Sequence, residues 1–181
     1  MMICLVAGLF LSAKAQVSVT PHVGYSMPQG ASSNFAGNGL SYGLALEYEV
    51  ANNFKIGAAF SQHNFDGQIA GFNLNVLDFR VTPITATAKY ILPGATLRPF
   101  IGLEGGLYTF SVGAAGFDID RQYWGLAPSL GVLYPINDNI DFFASAQYHM
   151  MNLDENIPVA DFNINQDIRF IPVNLGLTFK F

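Results

Sequence analysis

Between Leu40 and Val50 every second residue is large and apolar: Leu40, Tyr42, Leu44, Leu46, Tyr48 and Val50 alternate with Ser41, Gly43, Ala45, Glu47 and Glu49. Successive strand side chains point to opposite faces. Such a segment therefore shows an oily wall to one side and small or polar groups to the other. The pattern returns in the last eleven residues, where Val173, Leu175, Leu177, Phe179 and Phe181 stand opposite Asn174, Gly176, Thr178 and Lys180.

Six further segments alternate in the same way, and together they predict an all-β chain of eight strands. They are Val17 to Met27, Phe54 to His63, about Val76 to Ile91, a strand beginning near Leu97, Tyr123 to Ile136, and Ile140 to Met151. Tight turns are expected at Ala51-Asn52-Asn53, Pro93-Gly94-Ala95-Thr96 and Asn137-Asp138-Asn139, from their turn-forming residues. Between them lie stretches of about a dozen residues, Pro28 to Gly39, Asn64 to Asn75, Ser111 to Gln122 and Asn152 to Asp167, which read as long loops. Short turns at one end and long loops at the other predict an eight-stranded antiparallel up-and-down transmembrane β-barrel.

Half of the residues (51%) are hydrophobic and only 12% are charged, yet beyond residue 15 no apolar run approaches the roughly 18 residues of a spanning helix. A soluble barrel would turn its large face inward, but an eight-stranded lumen is only just filled by side chains. About five bulky residues per strand would not fit, so the apolar face is expected to meet lipid. Aromatics near the strand ends would form two interfacial girdles: Tyr48, Phe54, Tyr90, Tyr134, Phe179 and Phe181 on the turn side, and Tyr25, Tyr42, Trp124 and Tyr148 on the loop side.

Prolines 21, 83, 99, 128 and 172 fall inside these strands, where a closed barrel has no edge to hold them. On the fourth strand the outward parity is expected to flip at Pro83, from Leu77, Phe79 and Val81 to Ile84, Ala86, Ala88 and Tyr90, through a β-bulge.

Residues 1–15 read as a cleaved export signal: an apolar core from Ile3 to Leu11 precedes an Ala-x-Ala site ending at Ala15. Cleavage would remove Cys4 and Lys14 and leave residues 16–181 as the barrel domain, with no cysteine and a net charge of about −6. That acidity, without a basic cluster, argues against a nucleic-acid partner.

The inward charges Glu47, Glu49, Lys55, Lys89, Arg98, Glu104, Asp141 and Lys180 are expected to plug the lumen, since buried charges need partners. Glu49 falls opposite Lys55 across the first short turn, and Asp141 can reach Lys180 on the neighbouring strand. Ser145 and His149 share a face but sit about 13 Å apart along a strand, beyond hydrogen-bond reach. His22, His63 and His149 come from strands spread around the barrel without metal-ligand spacing. The reading is therefore of a non-catalytic protein without cofactor or metal. Loop acids Asp66, Asp118, Asp120, Asp154, Glu155, Asp161 and Asp167 could be solvated, bridge cations to lipopolysaccharide, or meet a partner.

The stretches Leu97-Arg-Pro-Phe-Ile-Gly-Leu-Glu-Gly-Gly-Leu-Tyr108 and Tyr123-Trp-Gly-Leu-Ala-Pro-Ser-Leu-Gly-Val-Leu-Tyr-Pro-Ile136, with the aromatic C-terminus, resemble the small outer-membrane β-barrel proteins of Gram-negative bacteria, the porin-family or OmpA/OmpX-like barrel domain. The resemblance implies an integral outer-membrane protein, monomeric, in contact with outer-membrane lipid and lipopolysaccharide. It also implies that Val173, Leu175, Leu177, Phe179 and Phe181 are the signal read by the barrel-assembly machinery. No peptidoglycan-binding domain follows the barrel, so no cell-wall tether is expected. The family has no single activity. Envelope structure or surface interaction is the first expectation, a small-solute channel the second, and a lipid A-modifying enzyme the third.

Overall fold

The computed structural model describes residues 17–34, 36–69, 72–94, 96–114, 117–151, 157–159, 162–164 and 168–181. The expected export signal lies outside them. The main strands are β1 (Val17–Gln29), β2 (Ala36–Ala51), β3 (Phe54–Ile69), β4 (Phe72–Ile91), β5 (Arg98–Ala114), β6 (Phe117–Pro135) and β7 (Ile140–Gln147). After β7 come its continuation β8 (His149–Met151), a small hairpin of β9 (Ile157–Val159) and β10 (Phe162–Ile164), and β11 (Ile168–Lys180). Each main strand pairs antiparallel with the next, and β11 pairs with β1 as well as with β7 and β8. With β7 and β8 forming one stave, the result is a closed barrel of eight.

Alternation explains its wall. Leu40, Leu46, Ile84, Ile101, Trp124, Leu130 and Leu175 are among the exposed large side chains, and Ser18, Thr20, Ser41, Glu47, Lys55, Thr85 and Asp141 are buried inside. On β6 the exposed apolar band runs from Trp124 to Tyr134. Ten strand residues tilted as in membrane barrels span roughly 25 Å of height.

The expected dozen-residue loops are mostly absent, because the strands continue into them. The stretch from Pro28 to Gly39 narrows to a short 3-10 turn over Gly30–Asn34, and only residues 70–71 and 115–116 separate β3 from β4 and β5 from β6. Gly, Asn, Ser and Asp suit a loop, but a strand whose outer face meets water accepts them too.

The bulge at Pro83 is also corrected. The β4–β5 ladder keeps one register from Leu77↔Ala114 to Ile91↔Phe100. Phe79, Val81, Pro83, Thr85 and Thr87 are all buried, so one parity points inward throughout. Phe79 and Val81 join Ala36, Phe65, Tyr108, Phe110, Val112, Met151, Ile168 and Phe170 in an apolar core inside the outer end of the barrel. Beyond the lipid-facing band the polarity thus inverts to that of a water-soluble protein, oily inside and polar outside.

Pro21, Pro83, Pro128 and Pro172 each coincide with a gap of two pairs in one ladder and leave the register intact. Around Pro21 the β1–β11 ladder steps from Val19↔Phe179 to His22↔Gly176 at constant offset, and around Pro83 the β3–β4 ladder steps from Phe60↔Ile84 to His63↔Val81. Pro128 and Pro172 flank one common gap at Tyr148, which divides β7 from β8. There the Tyr148 N–H still donates to the Pro128 carbonyl at 2.9 Å. Pro99 sits near the start of β5, where its carbonyl accepts from the Leu92 N–H at 2.7 Å. The irregularities in register occur elsewhere, between Ala36 and Gly39, Glu49 and Ala51, and Asp66 and Gln68.

The outer core generates a test. Phe110 is 2% exposed within it, whereas Leu130 is 65% exposed on the band. Phe110→Ala should cost about 3–5 kcal/mol, as a cavity in a packed core does. Leu130→Ala leaves no cavity and should cost clearly less, both read from denaturant midpoints in the same lipid vesicles.

Candidate functional site in the barrel lumen

The lumen is filled in layers. At the turn end Asp141, 1% exposed, receives both Arg98 and Lys180, the latter at 2.9 Å. Thr178 pairs with Asp141 in register, so Lys180 projects from the next inward position of β11 and reaches the same carboxylate. Above this, Lys89 pairs with Glu47 at 2.7 Å and lies over the rings of Phe100 and Phe143, 4.7 and 5.4 Å from their centroids. These rings stack at 5.8 Å and form a small core with Ile91 and Leu133. The cation is therefore held by a carboxylate and two aromatic faces at once. Gly131 makes room for this packing: a Cβ there would meet Phe100 at 2.4 Å.

The expected Glu49–Lys55 ion pair is not formed, although the two residues are register partners. Lys55 instead donates to Ser18 Oγ at 3.0 Å, and Glu49 accepts from the Asn53 N–H at 3.3 Å. Asn53 has φ 66°, and its turn presents that N–H to the nearby carboxylate. Glu104 is held by neutral donors, Thr85 at 3.0 Å and Gln147 at 2.6 Å. A cavity of about 20 Å³, room for little more than a water molecule, is lined there by residues that include His22, Glu47, Lys89 and Glu104.

The next layer is aromatic and could not be read from spacing. His63 and His149 lie far apart in sequence, yet barrel curvature brings their ring centroids to 5.2 Å, with Phe170 at 4.8 Å from His63 and stacked on His149 at 4.6 Å. Ser26 and Ser61 hold the two nitrogens of His63 at 2.8 and 3.0 Å, and Tyr108 and Gln147 hold those of His149 at 3.0 and 3.1 Å. The apolar outer core closes the lumen above them, around a second cavity of about 10 Å³. Among the described residues no group of three or more His, Cys, Asp or Glu side chains is arranged to hold a metal.

A closed barrel with an apolar exterior band and a polar, narrow interior fits one environment. The family described as "Outer membrane protein beta-barrel domain" matches residues 1–181. The chain belongs to this family. Its fold is similar to those of Neisserial surface protein A (20% identity, TM-score 0.66, covering 93% of this chain and 98% of that one) and Ail of Yersinia pestis (16%, 0.60, 93% and 100%). OprG of Pseudomonas aeruginosa is similar as well (17%, 0.58, 92% and 96%). No curated protein matches the sequence. Membership in the outer membrane protein β-barrel family places the chain in the outer membrane, with the exposed band against lipid.

Of the eight expected lumen charges, the structure joins Asp141 with Arg98 and Lys180, and Glu47 with Lys89; Glu49, Lys55 and Glu104 take neutral partners. The two histidines, Tyr108 and Phe170 were not expected to act together. The terminal set presents Val173, Leu175, Leu177 and Phe181 as exposed side chains and Phe179 as half-buried.

Among the described residues Asp141 is the one carboxylate shared by two cations. Asp141→Ala should destabilise the barrel by about 3–5 kcal/mol, the usual cost of leaving buried charge unpaired, and by more than Lys180→Ala, as read by urea unfolding in vesicles.

Proposed function

We propose that this protein is a closed, non-conducting and non-catalytic outer-membrane barrel that contributes to envelope structure and presents its outer strand ends for surface interaction. The observation that carries the reading is the filled lumen: ion pairs at the turn end, a hydrogen-bonded aromatic layer above, and an apolar core at the outer mouth. Space of 10 to 20 Å³ within these layers takes a water molecule rather than a solute. Both His149 nitrogens are occupied by Tyr108 and Gln147, which supports a structural role over that of a general base for Ser145.

The partners follow from the same reading. Outer-membrane lipid and lipopolysaccharide surround a monomer, and the outward set Val173, Leu175, Leu177, Phe179 and Phe181 serves as the signal for the barrel-assembly machinery during insertion. The outer strand ends, held rigid by the core beneath them, are where binding would be grafted onto such a scaffold.

Conductance in a planar bilayer tests the reading. The folded protein should give no discrete steps at neutral pH. Reproducible unitary steps would replace the plug with a small-solute passage.

A further inference from the structure

Among the described strands of the wall, β8 has the shortest ladders. Its residues His149, Met150 and Met151 pair with Phe170, Arg169 and Ile168 of β11, and on the other side Met150 and Met151 pair with Leu126 and Gly125 of β6. Below β8 both ladders lapse around Tyr148, between Pro128 and Pro172. Neither proline has an N–H to donate across that gap. The Tyr148 N–H bond to the Pro128 carbonyl, 2.9 Å, crosses it. The stave thus has a natural break with a short, separately held piece above it.

That piece carries a titratable group into the lumen. His149 and Met151 are buried and Met150 is half-buried on the outward parity. Gln147 Nε2 donates to Glu104 at 2.6 Å, so Gln147 Oε1 is the atom that meets His149 Nε2 at 3.1 Å. An amide oxygen only accepts, and His149 therefore carries its proton on Nε2. Its Nδ1 accepts from the Tyr108 hydroxyl at 3.0 Å. One ring face stacks on Phe170 at an interplanar angle of 3°, and the His63 ring stands 5.2 Å away.

The bonding partners of the two rings are neutral: Ser26 on β1, Ser61 on β3, Tyr108 on β5 and Gln147 on β7. Ser41, Val81 and Ala127 bring no charge from β2, β4 and β6. Arg80 and Arg169 lie on the outward parity, and His22 lies farther toward the turn end of β1. Glu104 is set behind the Gln147 amide, with its two oxygens taken by Gln147 and Thr85. A second proton on His149 has to take Nδ1. The Tyr108 hydroxyl must then turn its own hydrogen toward the apolar outer core, and the imidazolium faces His63 with no carboxylate bonded to either ring. Buried charge of that kind is costly, whereas a hydrated imidazole takes a proton near about pH 6.5. Acid therefore favours the state in which His149 has left the lumen, and above that range the burial of Met151 in the outer core keeps β8 docked.

We propose that β8 is an acid-released latch: protonation of His149 frees His149–Met151 from between β6 and β11 and admits water to the outer half of the lumen. The ion pairs at the turn end stay in place beneath it. The inference rests on the filled lumen of the proposed function, but its readout is the motion of β8 and not conductance.

A nitroxide on Met150→Cys, with Cys4 replaced, reports that motion in lipid vesicles, and one on Ala144→Cys of β7 serves as the control. Between about pH 7.5 and about pH 5, a span that brackets the ordinary histidine range, the label at 150 should pass reversibly from immobile to mobile while the label at 144 stays unchanged. His149→Gln, which cannot take the proton, should keep the label at 150 immobile throughout. Should that variant fail to fold by circular dichroism, the midpoint in the native background decides: it should fall in the histidine range and not near about pH 4, where carboxylates titrate. An immobile label at 150 down to pH 5, a carboxylate midpoint, equal mobilisation at 144, or a response that survives in folded His149→Gln would overturn the proposal. Unitary conductance steps at neutral pH would instead remove the closed-barrel reading and leave the motion of β8 to be judged by its label.

Discussion

Closure of the sheet between β1 and β11 is the contact on which the rest depends. A backbone N–H or C=O left unpaired in hydrocarbon costs several kcal/mol, so a sheet that spans lipid cannot keep an edge. Ten register pairs, from Ser18↔Lys180 to Gln29↔Arg169, remove that edge here. Closing the sheet with eight strands also fixes a narrow interior. Small side chains, shared carboxylates and stacked rings are what such an interior can accommodate. The strand prolines at 21, 83, 128 and 172 survive because each falls in a two-pair gap of one ladder whose neighbouring pairs hold the offset.

On β4 and β5 one register, unbroken from Leu77↔Ala114 to Ile91↔Phe100, serves two environments. In the band, the outward parity meets lipid and the inward parity carries hydroxyls and paired charges. Past the outer girdle the same parities exchange roles: Phe79, Val81, Phe110 and Phe170 fill the inside while Arg80, Asn64 and Asp120 face water. The exchange places a packed apolar core inside the outer end of the barrel.

The strands inside lipid were legible in the sequence because lipid forces a strict alternation. Leu40–Val50 and the terminal strand emerge with their faces as expected, and so does the contact of Asp141 with Lys180, which needs only the register of neighbouring strands. Where lipid ends, that constraint lapses. The strand ends around Asn64 and Ser111 have loop-like composition, and Phe79 with Val81 kept an apolar alternation whose direction had reversed. Reading those two residues as lipid-facing required a bulge that the ladder does not contain. Contacts across the lumen were out of reach for a different reason. His63 meets His149 through the curvature of the closed sheet, and Lys55 turns to Ser18 two strands away instead of to its register partner Glu49.

The unbroken register of β4 is the claim that most needs a direct measurement. Single nitroxide labels at residues 79 to 90, introduced with Cys4 replaced, would be read by collision with oxygen from lipid and with a water-soluble nickel chelate. The account predicts oxygen contact at Ile84, Ala86, Ala88 and Tyr90, nickel contact at Arg80 and Thr82, and protection from both at Phe79, Val81, Thr85 and Thr87. Strong oxygen contact at Phe79 and Val81 would mean that the parity flips at Pro83, and would contradict both the continuous register and the filled outer end.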